Sequence, residues 1–224
     1  MAYRKKAESI LKYSPDLVVV PECEYFKEET TKNLWLGNNQ KKGVGIFSYS
    51  DLELELNERY DPSFRYVIPI NVTGPHEFNL IAIWTMNDSE DVRKRYIGQV
   101  YSALNYYEEL LEEPTIIIGD FNWNAIWDMK PSYPLYGNLA DVVEMLKCRN
   151  IKSAYHEFFN EDFGKETKPT FFMQHKESKP YHIDYCFISP DFEISNVEVG
   201  LYGEWIKKSD HMPIIMTLNG GDRP

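Results

Sequence analysis

No apolar run in this chain approaches the length needed to cross a bilayer, which excludes a transmembrane helix. The opening, MAYRKKAESILKY, lacks the apolar core of a secretory leader. Cysteine is scarce: Cys23, Cys148 and Cys186, none in a CxxC pair. Three thiols make no disulfide framework, and there is no Cys/His set suited to zinc. Two of them lie in or beside apolar runs and read as buried thiols. A reducing, cytoplasmic setting follows. Gly/Ser tracts, long charge blocks and repeats are absent, so residues 1–224 are expected to form one domain. Basic residues are in deficit, 24 Lys and Arg against 35 Asp and Glu, for a net charge of -11. That balance disfavours wrapping a long duplex through a basic surface. It leaves a phosphate substrate open, because acids gathered around a divalent cation also lower the net charge. An ordinary acidic surface accounts for the charge equally well.

Apolar residues make up 43% of the chain, with 16 Tyr, 12 Phe and 5 Trp, enough for a sizeable core and against disorder. Ala2 to Tyr13 has helical spacing and stops at Ser14-Pro15-Asp16. LVVV (17–20), GVGIFSYS, RYVIPINV, FNLIAIWT, TIIIGDFN, YHIDYCFIS, FEISNVEVG and the piece after KKSDHMP read as strands. PTFF is a short extended piece. Ser89 to Glu112 reads as the longest helix, and Asn138 starts another with Leu139, Val142, Val143 and Leu146 as its stripe. Several strand pairs have no helix between them, which argues against a doubly wound parallel sheet and for two packed mixed sheets with helices outside.

Four strand ends carry acids. Glu22 ends VVVPE, Asp120 and Asn122 end IIIGDFN, Asp184 sits in YHIDYCF, and Asp210 with His211 precedes the last strand. Each alone is an ordinary turn former. If the four converge, several carboxylates in one desolvated cleft need compensation by protons or by a hard divalent cation. Mg²⁺ takes oxygen ligands and often only one or two carboxylates. The neutral Asn122 amide can orient a water or a phosphate oxygen. An imidazole among acids has its pKa raised, so His211 can be a cation near neutrality and stabilise charge on phosphorus. The plain alternative is a histidine capping the last strand. His182 alternates with Asp184 and is expected to line the same cleft as a supporting donor.

These pieces, PE at Glu22, GDFN at Asp120 and Asn122, HIDY at Asp184 and SDH at Asp210 and His211, resemble the endonuclease/exonuclease/phosphatase superfamily, the group with the DNase I-like fold. Order and broad spacing match over nearly the whole chain. The resemblance implies a four-layered α/β sandwich, two central mixed sheets flanked by helices, and Mg²⁺-dependent hydrolysis of a phosphate ester, with Mn²⁺ as a substitute. It implies Glu22 on the metal and Asp210 assisting there. Asp120 would hold or deprotonate the attacking water with Asn122 beside it. Asp184 would pair with His211, which would face the scissile phosphate. Two departures stand out. Members usually begin with a strand carrying an Asn, written WN.N, and this chain starts at the helix that follows it. Many place a His or Tyr where Trp84 and Thr85 stand here, and Trp84 can stack on a ring but donates poorly to phosphate.

Arg93, Lys94 and Arg95 early in the predicted long helix either meet phosphate or form a solvated face. In DFNWNAIWD, Phe121 is expected to be packed and Trp123 exposed, with Trp127, Tyr133 and Tyr136 extending either surface. Three functions compete: a phosphodiesterase acting on nucleic-acid ends or single strands, a phosphatase on a small or lipid-linked phosphate, and a non-catalytic binding module. No obligate protein partner is implied.

Overall fold

The computed structural model describes residues 3–25 and 32–220. A 3-10 turn, Tyr3–Lys5, leads into α1 (Ala7–Leu11); Ala2, the first residue of the predicted helix, lies outside the described residues. Strands β1 (Leu17–Cys23), β2 (Lys32–Asn39), β3 (Lys42–Ser48), β4 (Glu53–Leu56), β5 (Val67–Thr73) and β6 (Phe78–Trp84) follow. Then come α2 (Ile97–Tyr106), β7 (Thr115–Asp120), α3 (Leu139–Lys147), β8 (Lys152–Ser153), α4 (Ala154–Phe159), β9 (Phe171–Phe172), β10 (Pro180–Tyr181) and β11 (Asp184–Ile188). The chain continues through β12 (Phe192–Val199), α5 (Tyr202–Trp205) and β13 (Ile214–Gly220).

The mixed α/β arrangement is the expected one, with central sheets flanked by helices. One sheet has six strands in the order β4-β5-β6-β7-β11-β8. It is mixed because β6 and β7 run parallel while the other pairs are antiparallel. Side chains alternate across a strand, so each face of this sheet buries its own set. Ile83, Ile117, Phe121 and Tyr185 face α2 and α3, packing on Val100, Leu104, Leu139, Val142 and Leu146. Ile68, Leu80, Ala82, Ile116 and Cys186 face the second strand layer, meeting Val44 and Ile46 and, less deeply, Ile194 and Met216. That layer is in two antiparallel pieces, β1-β3-β2 and β12-β13. Among the described residues β1 has a strand partner on one side only. Outside this layer Ala7 and Ile10 pack against Tyr3, Val20, Cys23 and Phe47, and Ile10 also reaches Trp205 and Phe172. Cys23 and Cys186 are buried thiols.

The predicted helix Ser89–Glu112 is three pieces: a 3-10 turn at Val92–Lys94, α2, and a 3-10 turn at Glu108–Glu112. Tyr96, at φ 45°, breaks the path, and the buried Arg95 guanidinium is held by the carbonyls of Asp88, Ser89 and Pro134 instead of lying on a solvated helix face. The strands β2 and β4 and the helices α4 and α5 were not foreseen. The helix after Asn138 is as read, closed by a capping box in which the Asn138 side chain accepts from the Asp141 amide and the Asp141 carboxylate from the Asn138 amide.

Candidate active site

β7 and β11 place the first pair of acids. In their antiparallel register Asp184 stands opposite Asp120. Both lie on the same face as Ile116, Ile118 and Cys186, at the end where that apolar row stops. Like charges directly opposite on neighbouring strands are destabilising. His211 offsets the repulsion. Its Nδ1 lies 2.9 and 3.1 Å from the two Asp184 oxygens, a charge-assisted hydrogen bond. Phe171 bridges backbone to backbone with His211 and packs its ring at 4.7 Å, fixing the imidazole. With Nδ1–H directed at Asp184, the opposite ring edge, Nε2–H, is the one available to another acceptor. Ligand atoms of Asp120, Asp184 and His211 all lie within 4.8 Å of one another.

The electrostatics follow from that packing. Burial pushes the Asp120 carboxyl well above the usual carboxylate range. His211 and the Asn122 amide pull it back, while Asp184 and Glu22 push it further. Burial works against the His211 cation, but Asp184, with Asp120 and Asp210 behind it, wins and raises the imidazole to about 9. A carboxylic acid that resists ionising and an imidazole that resists losing its proton therefore sit side by side.

Gly119 lets β7 lie close against β6 just before Asp120. Its φ is +144°, and a Cβ there would fall 2.0 Å from the Ile83 carbonyl oxygen of the neighbouring strand. Asn122 adopts φ 51°, a left-handed conformation Asn tolerates. Its backbone N–H donates to Asp120 Oδ1 at 2.7 Å and its side-chain NH₂ to the Thr85 carbonyl at 3.2 Å.

Glu22 lies on the other layer. Pairing of β1 with β3 slips between Val20 and Cys23, and Glu22 has φ 53° in that bulge, which re-aims its side chain. Its carboxylate meets Lys42 Nζ at 3.1 Å. Burial disfavours the charge, yet Lys42, with His211 further off, holds the carboxyl below its ordinary value. Asp210 precedes His211, and its carbonyl accepts from the Phe172 amide at 2.8 Å. Among the described residues the cluster of ligand atoms holds Asp120, Asp184 and His211 but not Glu22 or Asp210; Glu22 adds its charge to the field at Asp120, and Asp210 to that at His211. The donors are carboxylate oxygens with one imidazole and no thiolate, which fits a hard divalent cation better than zinc.

Three expectations need correction. Trp123 is buried, because its indole N–H finds Asp128 Oδ1 at 2.7 Å. Trp84 is buried and stacked on Tyr66 at 4.8 Å, so its ring is not free to receive a substrate. His182 precedes β11 and packs against Tyr155, His156 and Tyr185 instead of lining the cleft beside Asp184. Its Nδ1–H donates to the Lys168 carbonyl, and its Nε2 is the one buried side-chain polar atom without a partner among the described residues. Lys42 and Thr170, whose hydroxyl accepts from the amides of Ile183 and Asp184, went unnoticed. Neither stands near its partner in sequence, so no local pattern points to it.

The chain matches the model of the endonuclease/exonuclease/phosphatase family over residues 7–211. No curated protein matches it. Among solved structures it is similar to an AP endonuclease from Archaeoglobus fulgidus, at 15% identity and TM-score 0.70, over 97% of this chain and 96% of that one. A 3′ phosphatase, NExo, from Neisseria bound to product DNA hairpin is 18% identical at TM-score 0.67, over 96% and 93% of the two chains. D. rerio TDP2 complexed with single-strand DNA product is 15% identical at TM-score 0.65, over 96% and 90%. At these identities the likeness speaks for the fold alone.

Proposed function

The chain belongs to the endonuclease/exonuclease/phosphatase family, and from that premise we propose that it is a divalent-metal-dependent phosphoesterase, a phosphodiesterase acting on nucleic-acid ends or single strands. The observation that carries this reading is the Asp120–Asp184 pair held in register with a cationic His211 against it. A phosphodiester is already anionic and repels a nucleophile, so hydrolysis needs a cation facing the phosphate and a base beside the water. In this reading Asp184 accepts from Nδ1–H, which orients the His211 ring and keeps it charged. Nε2–H then donates to a phosphate oxygen as negative charge accumulates there. Once ionised, Asp120 would orient the attacking water and take its proton, and the Asn122 backbone N–H holds that carboxylate in place.

Glu22, with Asp210 assisting, would hold Mg²⁺ or Mn²⁺, Lys42 giving up the Glu22 carboxylate. When bound, such an ion supplies Lewis-acid neutralisation of a phosphate oxygen. The substrate class draws on the solved relatives that carry DNA, the Neisseria phosphatase and the D. rerio protein. The acidic net charge of -11 suits ends and single strands better than a wrapped duplex.

The test is hydrolysis of a bis-nitrophenyl diester, a nitrophenyl monoester and labelled single-stranded DNA or RNA, each with Mg²⁺, Mn²⁺ or chelator. Diester turnover should require metal. It should fall by about 10²–10⁴ in Asp120→Asn and about 10²–10³ in His211→Ala. Turnover of the monoester alone would favour a phosphatase, and no turnover with any metal would favour a binding module.

A further inference from the structure

We propose that Thr170 is a positioning residue for the Asp184–His211 pair, tying the strand that carries the acid to the segment that carries the imidazole. The proposal rests on the phosphoesterase reading above and deepens it. Asp184 and His211 come from different layers. Asp184 opens β11 in the six-stranded sheet, whereas His211 leads into β13 in the second layer. Their 2.9 Å hydrogen bond therefore spans two sheets, and no strand pairing sets its length.

The short extended strap from Thr170 to Phe172 holds both ends. Towards β11, the Thr170 N–H donates to the Tyr181 carbonyl at 2.9 Å. The Thr170 hydroxyl oxygen accepts from the Ile183 amide at 3.0 Å and the Asp184 amide at 3.1 Å. Towards β13, the Thr170 carbonyl accepts from the Met212 amide at 2.7 Å, and the Phe172 amide donates to the Asp210 carbonyl at 2.8 Å. His211 is thus bracketed by a backbone bond on each flank, with the Phe171 ring lying against its own.

The chemistry of threonine suits this use. A hydroxyl oxygen has two lone pairs, so one atom serves two successive amides. Thr170 is fully buried, where an amide left unpaired is costly. Its branched Cβ restricts rotation about χ1, which keeps the oxygen where the amides need it. The strap is itself anchored: Phe172 packs with Trp205 and Met212, and the Tyr181 ring lies on Trp127 at 5.2 Å. Fixing the Asp184 amide fixes the backbone from which its carboxylate reaches Nδ1.

Thr170→Val keeps the size and branching and removes the acceptor, whereas Thr170→Ser keeps the acceptor. Ser189→Ala is the control. The Ser189 hydroxyl accepts from the Thr115 amide at 2.9 Å at the far end of β7 and β11, so its loss weakens the same sheet away from the pair. With Mg²⁺ and the bis-nitrophenyl diester, Thr170→Val should lower kcat about 10²-fold with KM little changed. Thr170→Ser should restore most of the rate, and Ser189→Ala should match the parent. The ¹⁵N shifts of the His211 ring, read at one pH, give a second readout that needs no turnover. In Thr170→Val they should move towards those of Asp184→Asn; in Thr170→Ser and Ser189→Ala they should stay at the parental values. Melting temperatures confirm folding, and Thr170→Ala, which also lacks the acceptor, takes the place of a valine variant that does not fold. If the wild type turns over no substrate, the phosphoesterase reading fails and the ring shifts alone decide. Parental ring shifts in the variant lacking the acceptor overturn the proposal whatever happens to kcat, and so does an equal loss of rate in Ser189→Ala.

Discussion

Asp120 and Asp184 would repel each other across β7 and β11 if both were charged and alone; the neutral form that burial favours on Asp120 and the His211 cation against Asp184 together make their pairing tolerable. The imidazole owes its raised pKa chiefly to Asp184. Asp184→Asn keeps the shape and removes the charge, so the His211 pKa should drop from about 9 towards the ordinary 6.5, as read from its NMR titration. An imidazole still titrating near 9 would assign the shift to other groups. The acids and the histidine themselves were legible because strand-ending carboxylates are chemically conspicuous. Their supports were not. Lys42 reaches Glu22 only across the β1–β3 pairing, and Thr170 reaches Asp184 only once the β9–β10 segment has folded over β11. Trp123 reads as exposed because its partner Asp128 becomes visible only when the loop closes.

At the scale of elements, β7 depends on one backbone position. Alanine at Gly119 would have to relieve a 2.0 Å approach to a backbone oxygen while keeping φ at +144°. Gly119→Ala should therefore cost more than about 2 kcal/mol of stability, measured by denaturant melting, and move Asp120 with it. A variant as stable as the parent would show that β6 and β7 can part cheaply. The α3 cap is a milder case: Asn138→Ala removes the acceptor for the Asp141 amide and should cost about 1 kcal/mol in the same melt. That cap and the apolar stripe behind it were readable in order along the chain. The interruption of the predicted helix before α2 was not, since it arises from carbonyls gathered around Arg95, one of them from Pro134, far along the sequence.

Across the whole molecule, a second polar cluster ties α4 to the loop that follows it. Glu166 accepts from His156 at 3.2 Å and from the Gly164 amide at 2.9 Å. Burial opposes its charge, but these partners hold the carboxyl down at about 2. A carboxyl lowered from an unfolded value near 4.3 adds stability that is complete above about pH 5 and is lost as pH falls towards 2. Glu166→Gln should thus cost on the order of 2–3 kcal/mol at pH 7, with the gap to wild type narrowing below pH 4; a gap independent of pH would contradict this. The layered α/β architecture was legible from strand pairs without intervening helices. The division of the second layer into β1-β3-β2 and β12-β13 depends on long-range pairing that no local pattern encodes.

The account stands on acids from both layers serving one cation, and metal binding followed by calorimetry tests this most directly. Mn²⁺ is titrated into the chain near pH 7 in two buffers of different ionisation enthalpy. Burial holds a proton on Asp120 in the metal-free site, so binding should release it, and affinity should rise with pH. Asp120→Asn should release less, and Glu22→Gln should bind at least tenfold more weakly. Wild-type binding that releases no proton and is indifferent to both substitutions would contradict the account.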